Sequence, residues 1–594
     1  MKKIFFWIAG AILAIILIAT SVGAHQWFTD KPYSMRLYLD REVIKLMLTS
    51  PEMKTGMGLD KLGLTAHLFE LDSGKELTFL EKLPNLYALK AGVNQYTNLQ
   101  DQEKLNQQAV NYLLDKLINL EKYKYHNYPL DTFGGLHSRF PDMMVKKHPI
   151  ESKVHVEGYL ARLKDSERYF SRVIDGVRYR EQRDIIPPKI VLENVIKQLK
   201  KFVSSEIEDN ILLTSLKVRM LALEDVDVEQ QAIFLNQAAS LIEHHVYPSY
   251  HRMIALYEEL HMRAGDGVGY WRLPDGENAY QALLEFYTTA DVTANEVYQT
   301  GVNEVNRIQA EMMRILNNDI GITSPIFSEA MAAFSSREAL YFPDSPEGRQ
   351  RVLERMTEAQ KRMNALLPQY FSITNVPELE FIRSPLLTED KDSLARYARN
   401  SVLVNLKDMR ALPENSLPVL TYHEGTPGHH YQKSVTANLA SMPIVLSETP
   451  FGAYMEGWGM YAERLGYDLN LYSTPEEILA YLQYDLTRAG RMVIDTGLHI
   501  KRWSRERAID YLVTEIALSR DEAEIEVDRA IVVPGSGPMY KIGQMRILAL
   551  REQAKVAMGE AFSLKQFHDD VLNSGALPLD LLEQNVTASF SDLN

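Results

Sequence analysis

Apolar residues recur along much of this chain at the three- and four-residue spacing of amphipathic helices. Three runs show it most clearly: Leu105, Ala109, Leu113 and Leu117; Val191, Val195, Ile196, Leu199 and Phe202; and Val352, Met356, Met363 and Leu366. Two further helices should open at the capping boxes Thr474-Pro475-Glu476-Glu477 and Ser519-Arg520-Asp521-Glu522. The pattern predicts a mostly α-helical protein.

Strand-like alternation of apolar residues is rare in this chain. One candidate strand runs from Leu379 to Ile382 and another from Ser401 to Leu406, just before a histidine-rich segment. Together they predict a small sheet, which we expect to be antiparallel. The second strand has two interpretations: an edge strand that binds an extended backbone by strand addition, or a strand that closes a small core sheet.

The N-terminus has a different pattern. Lys2 and Lys3 precede an uncharged stretch from Ile4 to Ala24, about twenty residues, which is long enough to cross a bilayer as a helix. Because the lysines favour the cytoplasmic side, the rest of the chain should lie on the extracytoplasmic, periplasmic side. Residues 1–24 are therefore predicted to be a membrane anchor or, since Val22-Gly23-Ala24 offers a cleavage site, a signal peptide.

Composition narrows the choice of function. The 594-residue chain has a formal net charge of −15, and it has no basic stripe that would bind nucleic acid. It contains no cysteine, so a metal site must use His, Asp and Glu. No linker or repeat divides residues 25–594, which predicts one large domain with two lobes, about 25–375 and about 376–594. The sequence leaves the oligomeric state open.

The strongest chemical feature is the segment that contains His423, Glu424, His429 and His430. The chain has 15 histidines in all, and three of them fall within these eight positions. Imidazole ligands with an adjacent carboxylate are typical of a catalytic zinc site. In a regular helix neither later histidine could share a metal with His423, since i+6 lies roughly 120° away and i+7 about 10 Å further along the axis. We therefore expect Pro427 and Gly428 to break the helix, which could return His429 to the ligand position.

A third zinc ligand is expected downstream. Glu456 and Glu463 lie two helical turns apart and share a face, so one carboxylate can bind the metal while the other orients a ligand. We predict Glu456 as the ligand, because it lies nearer the preceding loop. Glu463 and His430 remain alternative ligands or residues that orient the ligands.

These motifs resemble known zinc peptidases. His-Glu followed by Gly-His, with a later Glu on a second helix, is similar to the gluzincins: angiotensin-converting enzyme, thimet oligopeptidase and carboxypeptidase Taq. The chain looks still more like a bacterial family called domain of unknown function 885. The shared motifs occupy 423–432, Glu456 to Trp458, Arg488 to His499 and Pro534 to Gly543. The resemblance implies a large two-lobed helical peptidase fold with a small sheet beside the zinc helix, and it favours His429 over His430.

Other residues are candidates for catalysis and substrate binding. Glu424, adjacent to the first ligand, would accept a proton from the attacking water, and the resemblance implies that Tyr540 would donate a hydrogen bond to the oxyanion. Arg488, Arg491 and His499 are candidates for binding a substrate carboxylate, although ion pairs of the arginines with Asp485 or Asp495 are an equal alternative. Asn405 is a further candidate substrate contact.

Three functions fit the sequence. The first is a zinc-dependent peptidase, a carboxypeptidase or oligopeptidase acting on short peptides. The second is a zinc hydrolase of a non-protein or cell-wall amide. The third is a membrane-tethered, non-catalytic zinc-binding protein, but Glu424 argues against it, because a structural zinc site needs no base.

Overall fold

The computed structural model describes residues 23–73, 78–386, 389, 393–439, 442–448 and 450–591. The protein is mostly α-helical, as predicted, with a small sheet. The helices up to the sheet are α1 (Met35–Thr49), α2 (Pro51–Gly56), α3 (Phe79–Lys82), α4 (Leu86–Val93), α5 (Asp101–Leu120), α6 (Leu136–Asp142), α7 (Lys153–Glu181), α8 (Lys189–Val203), α9 (Ile211–Met220), α10 (Val228–Leu241), α11 (Tyr247–His261), α12 (Gly276–Thr288), α13 (Ala294–Ile315), α14 (Phe327–Ser335) and α15 (Pro346–Tyr370).

The sheet and the remaining helices complete the fold. The strands are β1 (Glu380–Arg383), β2 (Ala395–Tyr397) and β3 (Ser401–Val404). They are followed by α16 (Leu417–Glu424), α17 (His429–Ala437), α18 (Ile444–Ser447), α19 (Gly452–Asp468), α20 (Pro475–His499), α21 (Arg505–Glu515), α22 (Arg520–Val532), α23 (Met539–Met558), α24 (Leu564–Leu572) and α25 (Leu579–Ser591).

The predicted amphipathic runs form helices α5, α8 and α15. Both predicted N-termini are also present. The hydroxyl of Thr474 accepts a hydrogen bond from the Glu477 amide at the start of α20, and Ser519 and Glu522 form a full capping box at the start of α22. Local sequence therefore determines these helix starts, since the caps satisfy backbone groups that a helix leaves unpaired.

The sheet differs from the prediction in two respects. Its strand order is β1-β3-β2, with β1 parallel and β2 antiparallel to β3, so the sheet is mixed rather than antiparallel. β3, which begins at the predicted Ser401, is the central strand, so the interpretation of this segment as an edge strand is wrong. β1 and β2 are the outer strands. β2 has only three residues, too few for an alternation of apolar and polar residues to be recognised in the sequence.

Two apolar cores lie among the described residues. The larger contains residues from Met35 to Phe590, and the smaller packs one face of the sheet against α15 and α16 through Phe381, Val402 and Leu420. The larger core draws on both predicted lobes, and the proposed lobe boundary near residue 375 stays a prediction.

No helix within the described ranges is long and apolar enough to span a membrane. The predicted span from Ile4 to Ala24 lies outside the described residues except for its last two positions.

Glycines allow the helices around the histidine-rich segment to approach closely. A Cβ on Gly457 of α19 would lie 2.5 Å from the Gly543 backbone of α23, and one on Gly543 would lie 2.0 Å from the Ala453 carbonyl oxygen. Any larger side chain would separate these two helices. This contact places the start of α23 beside Glu456.

Candidate metal centre

The helix that carries His423 ends at Glu424, and a new helix begins at His429. A Cβ on Gly428 would lie 1.9 Å from the carbonyl oxygen of His423, so only glycine fits where the chain folds back against the end of α16. The Trp458 indole donates a 2.8 Å hydrogen bond to the Pro427 carbonyl oxygen, which ties this connection to α19. The predicted helix break is therefore present at residues 425–428.

The break brings together three of the predicted ligands, His423, His429 and Glu456. Their ligand atoms all lie within 4.8 Å of one another. The Nε2 atoms of His423 and His429 each lie 3.5 Å from Oε2 of Glu456. Two imidazole nitrogens and one carboxylate oxygen lie close enough together to bind one divalent metal ion.

Glu463 orients one of these histidines. Its Oε1 lies 2.7 Å from Nδ1 of His423 and 3.2 Å from Nη2 of Arg488. Because Nδ1 of His423 is held by the carboxylate, Nε2 is directed toward Glu456, an arrangement common among metal-binding histidines. Glu463 is fully buried and contacts His423 at the ring nitrogen that does not face Glu456, so it fits the predicted orienting role.

The electrostatics of the cluster favour a bound cation. Burial would lower the pKa of His423, but Glu456, Glu463 and Glu424 outweigh this effect and raise it to about 10. Burial would raise the pKa of Glu456, yet His423 and His429 hold it well below its usual range. The three carboxylates thus retain a proton on His423. A divalent cation can replace that proton and neutralise the same charge, so the residues fit a metal ion.

Gly459 gives the His423 ring its space. A Cβ at this position would lie 2.6 Å from Cε1 and 3.0 Å from Nε2 of His423. Gly459 lies between Glu456 and Glu463 on α19. The backbone of α19 therefore lies against the His423 ring, with Glu456 beside its Nε2 and Glu463 beside its Nδ1.

Glu424, the predicted proton acceptor, faces the edge of the sheet. Its Oε2 accepts a 2.8 Å hydrogen bond from the backbone N–H of Tyr397 in β2. Ala398 and Ser401 exchange both of their backbone hydrogen bonds, so the peptide groups of Tyr397, the neighbouring residue, point away from β3. The outer edge of β2 is therefore the one that adjoins Glu424.

His430 faces away from the other histidines. Its Nε2 donates a 2.9 Å hydrogen bond to the Pro377 carbonyl oxygen, and its Nδ1 lies 3.4 Å from the Tyr397 hydroxyl. Burial lowers the pKa of His430 and favours the neutral ring. His430 is thus outside the ligand group, which favours His429 as the second ligand.

Tyr540 lies half-buried in the first turn of α23. The guanidinium of Arg491 lies 5.3 Å from the centre of its ring and makes two hydrogen bonds of 2.7 Å to Glu526. Burial would lower the pKa of Arg491, but Glu526, Tyr540 and Glu456 together raise it. Arg491 therefore lies within electrostatic range of the candidate metal ligand Glu456, and Tyr540 packs against Arg491.

Both candidate arginines already have carboxylate partners. Arg491 is paired with Glu526 and Arg488 with Glu463, so neither pairs with Asp485 or Asp495 as the alternative prediction held. A substrate carboxylate would have to compete with these buried contacts. The pairs join residues 35 and 25 positions apart, which sequence spacing alone could not identify.

His499 has no free ring nitrogen for a substrate. Its Nε2 donates to the Ala530 carbonyl oxygen at 2.9 Å, and its Nδ1 accepts from the Tyr270 amide at 3.1 Å. Burial lowers its pKa to about 4, so the ring is neutral. These contacts give His499 a structural role, contrary to the predicted substrate contact.

Asp495 from the same motif holds the loop before Tyr540. Its Oδ1 accepts hydrogen bonds from the Tyr280 hydroxyl at 2.6 Å and from the Gly535 amide at 3.0 Å. Burial raises the pKa of Asp495 to about 7, although these hydrogen bonds oppose the rise. The motif around residues 495–499 therefore supports the loop at 534–538 rather than a substrate.

Asn405 follows β3 and stabilises a loop. Its side-chain amide donates to the Glu389 carbonyl oxygen at 2.7 Å, and its Oδ1 accepts from the Lys407 amide at 3.1 Å. These bonds use the polar atoms that a substrate contact would need.

Sequence reasoning missed two residues near the site. Tyr397 positions Glu424 through its backbone, which no side-chain motif reveals. Gln360 of α15 accepts a 2.9 Å hydrogen bond from the Thr426 amide and so fixes the connection between α16 and α17. Neither residue belongs to a local pattern, since their partners are 27 and 66 positions away.

Fold and site together define a mostly helical protein with a His/His/Glu group suited to a metal ion. The family model for bacterial proteins of unknown function DUF885 matches residues 51–586, so the chain belongs to this family. A comparison with curated proteins finds no match.

Two solved structures, each described as a "putative lipoprotein", resemble the chain. The one from Colwellia psychrerythraea is 26% identical, with a TM-score of 0.84 over 94% of this chain and 100% of the other. The one from Shewanella oneidensis is 18% identical, with a TM-score of 0.69 over 93% and 99%. An M32 carboxypeptidase from Deinococcus radiodurans R1 aligns over 93% and 99% at 11% identity, but its TM-score of 0.32 is too low to indicate a shared fold.

Proposed function

We propose that this protein is a zinc-dependent peptidase, a carboxypeptidase or oligopeptidase. The observation that carries the proposal is the convergence of His423, His429 and Glu456, with the carboxylate of Glu424 beside them. Zinc bound there would act as a Lewis acid on a carbonyl group and on a water molecule. A site that served only structure would need no additional carboxylate next to its ligands.

Glu424 is suited to proton transfer. Its Oε2 is held by the Tyr397 amide, which leaves Oε1 to accept a proton from a water molecule and to pass it to a departing amine. The contact with β2 keeps the carboxylate in one orientation, so less conformational freedom is lost when a substrate binds.

The outer edge of β2 supports a peptide as the substrate. Tyr397 and Ala395 both direct their peptide groups to this edge, because each alternates with residues bonded to β3. Glu424 accepts from the Tyr397 N–H and the Ser393 hydroxyl donates to the Ala395 carbonyl oxygen, so a peptide would bond to the Tyr397 carbonyl oxygen and the Ala395 N–H. An extended peptide can add to such an edge through backbone hydrogen bonds, as proposed for other peptide-binding sheets. Its peptide bonds would then pass beside Glu424.

Tyr540 is proposed as the donor to the oxyanion. Tyr540→Phe should leave KM nearly unchanged and lower kcat by roughly 100-fold, because the hydrogen bond forms only as the carbonyl becomes tetrahedral. Steady-state kinetics on the best peptide substrate measures this split. Full kcat in Tyr540→Phe would return Tyr540 to a packing role against Arg491.

We also propose an extracytoplasmic location. The description of the Colwellia psychrerythraea relative as a "putative lipoprotein" supports it. This chain has no cysteine to carry a lipid, so the uncharged segment from Ile4 to Ala24 would serve as the anchor or signal peptide. A reporter that works only outside the cytoplasm should be active when it is fused to the C-terminus. Activity of a fused reporter that works only in the cytoplasm would contradict this topology.

The substrate class can be tested directly. Purified residues 25–594, loaded with zinc, should hydrolyse members of a mixed library of short peptides, with products identified by mass spectrometry. Cell-wall fragments that contain amide bonds serve as the comparison. Turnover of those fragments without turnover of peptides would overturn the peptidase proposal in favour of another amide hydrolase.

A further inference from the structure

A cavity of about 270 Å³ lies beside the connection between the two metal-binding helices. Its walls come from α15, from the segment 374–381 that leads into β1, and from Thr426 and His430. Thr426 lies two positions after Glu424, and His430 directly follows His429. The cavity is therefore part of the immediate surroundings of the candidate metal centre, although none of the proposed catalytic residues lines it.

Two contacts connect the cavity to the proposed proton acceptor. Tyr397 donates its backbone N–H to Glu424, and its hydroxyl lies 3.4 Å from Nδ1 of His430, which lines the cavity. One tyrosine of the edge strand thus separates Glu424 from this space. The cavity is lined on the β1 side of the sheet and by no residue of β2, so a peptide side chain would enter it from the metal centre, past Tyr397, and not from the outer edge of β2.

The polar groups on the floor of the cavity are already paired with each other. Gln360 accepts from the Thr426 amide at 2.9 Å and donates to Asn364 at 2.8 Å. His430 donates to the Pro377 carbonyl oxygen at 2.9 Å. A charged side chain would lose its hydration at this floor and gain little in exchange, which disfavours acidic and basic residues.

Much of the remaining wall is apolar. It includes Leu367, Val376, Leu379 and Phe381, of which Leu367 and Phe381 are buried, together with the half-buried Thr357. Charged and amide side chains, among them Lys361 and Glu378, lie at the exposed rim. Apolar walls with a polar rim favour a ligand that buries an apolar group and keeps its polar groups near the surface.

We propose that this cavity is a specificity pocket, which binds a large apolar or aromatic side chain of the peptide substrate. The proposal rests on the proposed peptidase function and adds a preference to it. Burying a Phe side chain rather than an Ala methyl should favour binding at one position of the peptide by at least about tenfold.

The test uses alanine pentapeptides in which a single Phe occupies each position in turn. Binding is measured by calorimetry with zinc-loaded Glu424→Gln protein, and turnover with the wild-type protein. Val376→Trp would fill part of the cavity from a half-buried position, and Val218→Trp places the same side chain at an exposed site on α9. Thermal melting checks that both variants are folded.

We expect Phe at one position to improve binding and turnover at least tenfold in the wild-type cavity and in Val218→Trp. In Val376→Trp this preference should disappear, because the indole occupies the space that the Phe ring would fill. Turnover without any Phe preference, or a preference that survives Val376→Trp, would overturn the pocket and leave the peptidase proposal standing. Phe-dependent binding without turnover would support the pocket and overturn the peptidase proposal. The absence of both binding and turnover would overturn both proposals.

Discussion

Alanine in place of His423, His429 or Glu456 should reduce the zinc content of the purified protein from about one ion per chain to nearly none. Each of these residues supplies one of the three ligand atoms that lie within 4.8 Å of one another. The chain has no cysteine that could replace a lost ligand. Two remaining ligands bind zinc far more weakly than three, so the loss should exceed any other change in metal content.

His430→Ala is the matched control for this experiment. His430 neighbours His429 in the sequence, but its ring bonds to the Pro377 carbonyl oxygen and faces away from Glu456. Its removal should therefore leave the zinc bound. Elemental analysis decides between the two histidines: zinc lost with His430→Ala and retained with His429→Ala would contradict the ligand assignment.

Glu424→Gln should separate metal binding from catalysis. The amide oxygen of Gln can still accept the hydrogen bond from the Tyr397 amide, so the local structure should persist. The amide cannot accept a proton at neutral pH, so peptide turnover should fall by roughly 10²-fold or more while zinc remains. This loss is expected to be the largest effect on activity of any substitution that leaves the metal in place.

Glu560→Gln provides the comparison, because Glu560 is exposed near the C-terminal end of α23 and carries the same change of charge. Its kcat should match that of the wild-type protein. If Glu424→Gln were equally active, another group would have to accept the proton, and the role assigned to Glu424 would be lost.

Much of the fold could be predicted from local sequence. Helices α5, α8 and α15 follow from apolar spacing, and the starts of α20 and α22 follow from their caps, since both features depend on neighbouring residues. The break at residues 425–428 was also predictable, because Pro427 and Gly428 act through local backbone geometry.

Contacts between distant segments could not be predicted in this way. The predicted edge strand at Ser401 became central because β1 and β2 both pair with it, and strand order depends on segments far apart in sequence. Arg491 and His499 have the chemistry of substrate-binding residues, but Glu526 and the Ala530 carbonyl oxygen occupy them in the folded protein. Residue type alone does not reveal such partners.

A zinc titration of metal-free protein, with bound zinc and peptide turnover followed together, tests the proposed catalytic centre most directly. Turnover should rise in proportion to bound zinc and reach its maximum at about one ion per chain. Glu424→Gln should bind the same amount of zinc with little turnover. Full peptide turnover by the metal-free protein, or one tightly bound zinc without turnover of any peptide in the library, would contradict a zinc peptidase built on His423, His429 and Glu456.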